Sequence, residues 1–286
     1  MVRAYNTLNG KKNMSGYYYP GTYYLYLENP ELKGTGNVQD GIKLTWNTVK
    51  DAGYYNVYRR TDGTSYEMIA ENITDTFYID DQASPGNKYY YTVRAFANIG
   101  GTTFRSYFNA SVSGYFIPVP VLTGITDTAK GYKLTWDSVD GADSYIVYRK
   151  AEGGKWNKAG EVKETSFAEG VRSSGTKYYY TVRAVKNSGG IYAISSYENP
   201  GLGYVHLDVP EILTVDTKAA GINVTWSKVK GAAVYKVYRK TGANGKYTVV
   251  GNVTKTGFVD RTGVSGKTYY YTVRAYLRHA CAPERR

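Results

Sequence analysis

Apolar and polar positions alternate through one seven-residue stretch, Tyr-Tyr-Tyr-Thr-Val-Arg-Ala, which recurs at 89–95, 178–184 and 269–275. With period two, the middle copy sets Tyr178, Tyr180, Val182 and Ala184 on one face and Tyr179, Thr181 and Arg183 on the other. Aromatic and β-branched residues in that alternation, with Gly just upstream, predict a strand buried on one side. Two further alternating segments precede each copy. Gly-x-x-x-Thr-Trp runs from Gly41 to Trp46, Gly131 to Trp136 and Gly221 to Trp226, with Ile42 and Leu44, Tyr132 and Leu134, and Ile222 and Val224 sharing the Trp face. Tyr-x-Val-Tyr-Arg begins at Tyr55, Tyr145 and Tyr235 and turns its first Tyr and its Val inward. A lone carboxylate stands before the turn that leads into each Tyr triplet, at Asp80, Glu169 and Asp260. Helical periodicity is absent, so the pattern predicts an all-β sandwich of short antiparallel strands.

The same landmarks set the organisation. Trp46, Trp136 and Trp226 fall ninety residues apart, as do Pro30, Pro120 and Pro210. Ninety residues is too long for a solenoid repeat and suits a small independent domain. The expected division is 29–117, 118–207 and 208–286, strung as an elongated array. Residues 1–28 read as the last strands of a preceding module, because Val2-Arg3-Ala4-Tyr5 matches Val93-Arg94-Ala95-Phe96. On that reading the aromatic stretch 17–27 has no sheet of its own. The third module ends in Leu277-Arg278-His279-Ala280-Cys281 where the others carry a glycine turn. Its last strand is expected to be missing, which leaves an unpaired edge.

Composition narrows the chemistry. One Cys excludes a disulfide framework, so each module must stand on its apolar core. No run of eighteen apolar residues marks a membrane span. Net charge is +12, from 36 basic and 24 acidic residues. The excess is spread without a cluster, so nucleic acid is not an expected partner. His206 and His279 do not recur between modules and have no nucleophile beside them, against catalysis by a triad. Two His and one Cys build no zinc site, and the paired glycines lack the lysine and helix of a phosphate loop. No cofactor is expected.

Trp on an early strand, Tyr-x-Val on the next, then an acid, Gly and Tyr-x-x-x-Val-x-Ala together resemble the fibronectin type III module. The likeness is greatest to versions found in tandem in secreted bacterial surface proteins. It implies immunoglobulin-like sandwiches of two antiparallel sheets, with Trp46, Trp136 and Trp226 in the core. It also implies Tyr89, Tyr178 and Tyr269 at a tyrosine corner, hydroxyls bonded to upstream backbone. The family's Arg-Gly-Asp adhesion motif is absent.

What remains for function is a surface. Tyr58, Arg60, Tyr90 and Arg94 lie on the outward faces of two strands expected to be neighbours. Their equivalents are Tyr148, Lys150, Tyr179 and Arg183, then Tyr238, Lys240, Tyr270 and Arg274. Such pairs stabilise a sheet by cross-strand and cation–π contacts of roughly 0.5–1 kcal/mol with no ligand at all. The same residues could also form a repeated platform for sugar rings or anionic polymers, made avid by repetition. The expected function is a non-catalytic spacer or interaction array of a larger extracellular bacterial protein, with a secretion signal upstream. Its partners would be wall or matrix polysaccharide or another surface protein, in display or adhesion. The alternative is a set of carbohydrate-binding modules attached to a glycoside hydrolase.

Overall fold

A computed structural model describes residues 3–16, 23–128 and 131–277. Among them every regular element is a strand, and no helix is long and apolar enough to cross a membrane. The aromatic residues at 17–19 and the ending beyond Leu277, including His279 and Cys281, lie outside the described residues.

The strands pair as the alternation demands, and the main sheets come in three couples. In the first, Gly41–Trp46 lies between Leu32–Val38 and Phe77–Asp80, all antiparallel. Its companion sheet has the order Val112–Tyr115, Lys88–Ile99, Tyr54–Arg60, Glu67–Ile73, with Thr102–Arg105 also paired to Lys88–Ile99. One inner face contributes Ile42, Leu44 and Trp46, and the other Tyr55, Val57, Tyr91, Val93 and Ala95, in a single buried cluster. The second couple repeats this with Gly131–Trp136 against the companion strands Ser144–Ala151 and Lys177–Ser188. The third uses Gly221–Trp226 against Val234–Thr241 and Tyr269–Tyr276. By density of contacts the chain divides into two compact units, Met1–Pro118 with Lys186–Ser195 and Val119–Val185 with Ser196–Arg286.

One ring contact joins the two layers of every couple. Trp46 meets Tyr55 at 5.6 Å, Trp136 meets Tyr145 at 5.5 Å and Trp226 meets Tyr235 at 5.6 Å, all steeply tilted. The tyrosine hydroxyl then accepts a backbone N–H, from Val49, Val139 and Val229, at 2.9 Å each time. The buried aromatic thus fixes the spacing of the sheets, and its polar tip closes the loop between two strands. A glycine opens each Trp strand because the neighbouring strand passes close by. Gly131 and Gly221 take φ of 152° and 133°, and a Cβ at either would strike the carbonyl oxygen of Glu169 or Asp260.

The corner tyrosines agree with expectation twice. Tyr89 accepts from Ser84 N and Tyr269 from Val264 N, both at 2.9 Å. Tyr178 departs from it, since its hydroxyl makes no such bond among the described residues. The turn before it puts its hydrogen bonding elsewhere. Ser174 is buried, its hydroxyl donating to Lys230 O and accepting from Asp208 N, both at 3.0 Å.

The start of the chain forms a hairpin, Tyr5–Leu8 with Lys11–Met14, turned by Asn9 and Gly10 at positive φ. Gly100 and Gly101 turn the 88–105 hairpin in the same way. Arg3 donates to Ser15 O and Ala4 N to Ser15 Oγ, which matches Arg94 to Ser106 O and Ala95 N to Ser106 Oγ. From Tyr23 onward the expectation of an orphan stretch is corrected. Leu27 is buried in the first core, Leu25 packs on it, and the rings of Tyr23 and Tyr24 lie against Phe104. Leu207, three residues before Pro210 as Leu27 is before Pro30, likewise packs on the third core. These apolar side chains ahead of Pro30 and Pro210 belong to the sandwich that follows them. Among the described residues Tyr269–Tyr276 pairs only with Val234–Thr241.

Trp136 is 3% exposed. Its replacement by Ala is expected to cost about 3–5 kcal/mol, read as a lowered midpoint in urea denaturation. An unchanged midpoint would place the indole outside the core.

Candidate functional site

Alternation along Tyr-x-Val-Tyr-Arg puts the terminal Arg on the same face as the inward Tyr and Val. A cation there needs a counter-ion, and the recurrent carboxylate supplies it. Asp80, 1% exposed, accepts from Arg59 at 2.8 and 2.9 Å, from Tyr91 at 2.7 Å and from Gln82 N at 3.3 Å. Asp260 accepts from Arg239 at 2.7 Å, Tyr271 at 2.8 Å, and Thr262 Oγ1 and N at 2.6 and 2.9 Å. Glu169 is met by Arg149, Arg172, Tyr132 and Tyr180. Asp80 and Asp260 support a turn, through Gln82 and Thr262, but sequence reasoning missed the larger part of the acids in a buried Arg–carboxylate–Tyr cluster.

The electrostatics follow. Burial and the bond to Asp80 push the Tyr91 hydroxyl up, and burial and Asp260 do the same for Tyr271. For Asp260, burial works to raise the carboxyl. The hydrogen bonds from Thr262, Tyr271 and Arg239 together outweigh it and hold the pKa down at about 2. A buried carboxylate so fully occupied braces the sandwich and has no free lone pair for general acid or base work. No three His, Cys, Asp or Glu side chains converge as a metal site among the described residues.

The outward face is where the candidate residues meet. Arg60 lies directly across from Tyr90, Lys150 from Tyr179 and Lys240 from Tyr270. The cations sit over those rings at 4.1, 5.6 and 4.9 Å. Each also reaches a second ring that sequence reasoning did not single out: Tyr66 at 5.4 Å, Trp156 at 4.6 Å and Tyr247 at 5.3 Å. The result is an aromatic–cation–aromatic sandwich repeated on all three companion sheets. Its third member was legible in principle, since Tyr66, Trp156 and Tyr247 keep the ninety-residue step to within one residue.

Tyr58, Tyr148 and Tyr238 and the partner arginines behave less uniformly. Phe108 rests on Tyr58 at 5.1 Å and takes Arg94 over its ring at 4.5 Å. Arg94 also clamps Ser106 O, at 2.8 and 2.6 Å. Thr92, on the outward face by its place in the alternation, is buried beneath Asn109, to which it donates at 2.8 Å. Tyr238 bonds Tyr276 through their hydroxyls at 2.8 Å, with Arg274 over its ring at 5.9 Å. In the second sheet Tyr197 replaces Phe108 but meets Trp156, at 6.3 Å, and Arg183 lies over it at 5.8 Å. A cleft of about 190 Å³ opens there, lined by Tyr148, Trp156, Thr181, Arg183 and Tyr197.

Paired antiparallel sheets, a Trp–Tyr contact between layers and a corner tyrosine define the class. The chain is an array of fibronectin type III-like sandwiches. No protein-family model matches it. It is similar to an amylopullulanase of Thermoanaerobacter thermohydrosulfuricus, 25% identical over 85% of this chain and 20% of that protein. It is also similar to exoglucanase B of Cellulomonas fimi, 30% identical over 71% of this chain and 20% of that protein. The chain therefore spans about a fifth of the length of the curated relatives it matches. Among solved structures it resembles an Fn3-like protein from Clostridium thermocellum, 34% identical over 30% of this chain and 88% of the other, with a TM-score of 0.25.

The Asp260 cluster yields a pH dependence. Its folded pKa of about 2 lies below the ~3.9 of a free carboxyl. The stabilisation is therefore complete above about pH 4 and lost as pH falls toward 2. Thermal melting across that range should show an acid limb for the third core that Asp260→Asn flattens while lowering stability at neutral pH. An identical acid limb in the variant would remove Asp260 as its cause.

Proposed function

We propose that this chain is a non-catalytic spacer and interaction array within a larger extracellular bacterial protein, divided near 29, 118 and 208. The observation that carries the reading is the fate of the recurrent acids. Asp80, Glu169 and Asp260 are the carboxylates that recur in every module, and each is engaged by Arg and Tyr inside a sandwich. A second reading is favoured by the relatives, an amylopullulanase and an exoglucanase. On it, the array accompanies a glycoside hydrolase and holds polysaccharide through its aromatic–cation–aromatic faces.

Two measurements on the purified chain test these readings. Reducing-end release from starch and cellulose should stay at the blank level, and release that copurifies with the chain would sink the non-catalytic reading. Retention on the same insoluble polysaccharides separates spacer from binder. A plain spacer washes through, whereas a binder is retained and loses retention when Tyr66, Trp156 and Tyr247 are together replaced by Ala.

A further inference from the structure

The second companion sheet carries a feature the other two lack. Its threonine at the centre of the outward face, Thr181, is 2% exposed, and its hydroxyl has no hydrogen-bond partner among the described residues. Thr92, the equivalent on the first sheet, is capped by Asn109. Eighty-nine residues on from Asn109 stands Glu198, which is exposed. A buried hydroxyl without a partner costs free energy comparable to a lost hydrogen bond. Here Thr181 lines a cleft beside which Tyr197 meets Trp156 at 6.3 Å, whereas Phe108 on the first sheet meets both Tyr66, at 6.3 Å, and Tyr58, at 5.1 Å. On the first sheet Phe108 fills the corresponding space against Tyr58.

The geometry points to this cleft as a subsite for one hexopyranose unit of a glycan. Three facts select that chemistry. Three of the lining side chains are aromatic, an indole and two phenols beside the Arg183 guanidinium, and offer flat faces to a ring with an apolar C–H face. Beneath them lies the unpartnered Thr181 hydroxyl, which gains a hydrogen bond from a polar group entering the cleft, as a sugar hydroxyl can supply and a hydrocarbon cannot. The volume, about 190 Å³, is below the roughly 300 Å³ of pockets that enclose drug-sized ligands, so one ring enters while the rest of the chain runs across the surface. Tyr197, 41% exposed, leaves the mouth open for that continuation. The assignment deepens the polysaccharide-holding reading and rests on it, but a silent cleft leaves the faces at Tyr66 and Tyr247 untouched and so overturns the assignment alone.

Trp156 makes the site self-reporting. Trp46, Trp136 and Trp226 are buried to 2–3% exposure, and Trp156 is the half-buried indole. The test titrates the intact chain with maltohexaose, cellohexaose and hexagalacturonate while following tryptophan emission. At least one probe should give a saturable change in the millimolar range, abolished in Trp156→Phe. Thr181→Val, nearly isosteric, should weaken that affinity about tenfold, as loss of one buried hydrogen bond does. Tyr197→Ala should weaken it at least as much, and Tyr107→Ala, an exposed ring outside the cleft, should leave it unchanged. Melting of the same samples confirms that each variant is folded. An emission that none of the three probes alters, or an affinity that neither Thr181→Val nor Tyr197→Ala weakens, would overturn the assignment.

Discussion

A core built from tyrosine must find a partner for each hydroxyl it takes out of water, and the architecture of this chain follows from that constraint. One set of tips, on Tyr55, Tyr145 and Tyr235, accepts backbone N–H groups from the loop after the Trp strand. Another, on Tyr91 and Tyr271, donates to a buried carboxylate. The carboxylate in turn needs a cation, and the inward Arg of the next strand provides it. Aromatic bulk fills the space between the sheets, while the polar tips tie loop to strand and strand to strand. Removing one member of such a cluster would leave a buried charge unpaired, which is costlier than never having built it.

The repeats act as variations on one design, and their differences are informative. Where the first and third sandwiches have Asp at the cluster and Ile at the head of the Trp strand, the second has Glu169 and Tyr132. The longer acid reaches a second phenol, so the two changes serve one hydrogen-bond network. The third core keeps the Trp–Tyr contact and the Arg–Asp–Tyr cluster, although its companion sheet has three strands among the described residues. The inner layer is thus maintained independently of how many strands flank it.

The outer face obeys a looser rule. Cross-strand cation and ring pairs stabilise a sheet whatever lies above it, so their recurrence fits a spacer as well as a binder. What distinguishes the sheets is the segment laid over them. Phe108 and Asn109 cap the first, and Tyr197 with Glu198 leaves the second partly uncovered. Chemical individuality in this array therefore resides in the loops that follow the long strands, as is usual for folds whose strands are committed to packing.

By itself the sequence determined the all-β class, the ninety-residue repeat, and the inward set Ile42, Leu44, Trp46, Tyr55 and Val57 with its counterparts. Period-two alternation and the spacing of Trp are local properties, and burial follows from them directly. It also placed Arg60 with Tyr90, Lys150 with Tyr179 and Lys240 with Tyr270, because adjacency of two strands suffices to pair their outward residues. Only the tertiary structure decided where the acids go, since the distance from Arg59 to Asp80 depends on folding two sheets face to face. It decided that Leu27 serves the core after it, and that Tyr178 does without a corner bond while Ser174 bonds Lys230. It decided, too, that Thr181 lies buried beside a cleft while Thr92 lies buried beneath Asn109. These outcomes turn on contacts between residues far apart in the chain, where one side chain's rotamer competes with another's for the same space, and no periodicity records the result.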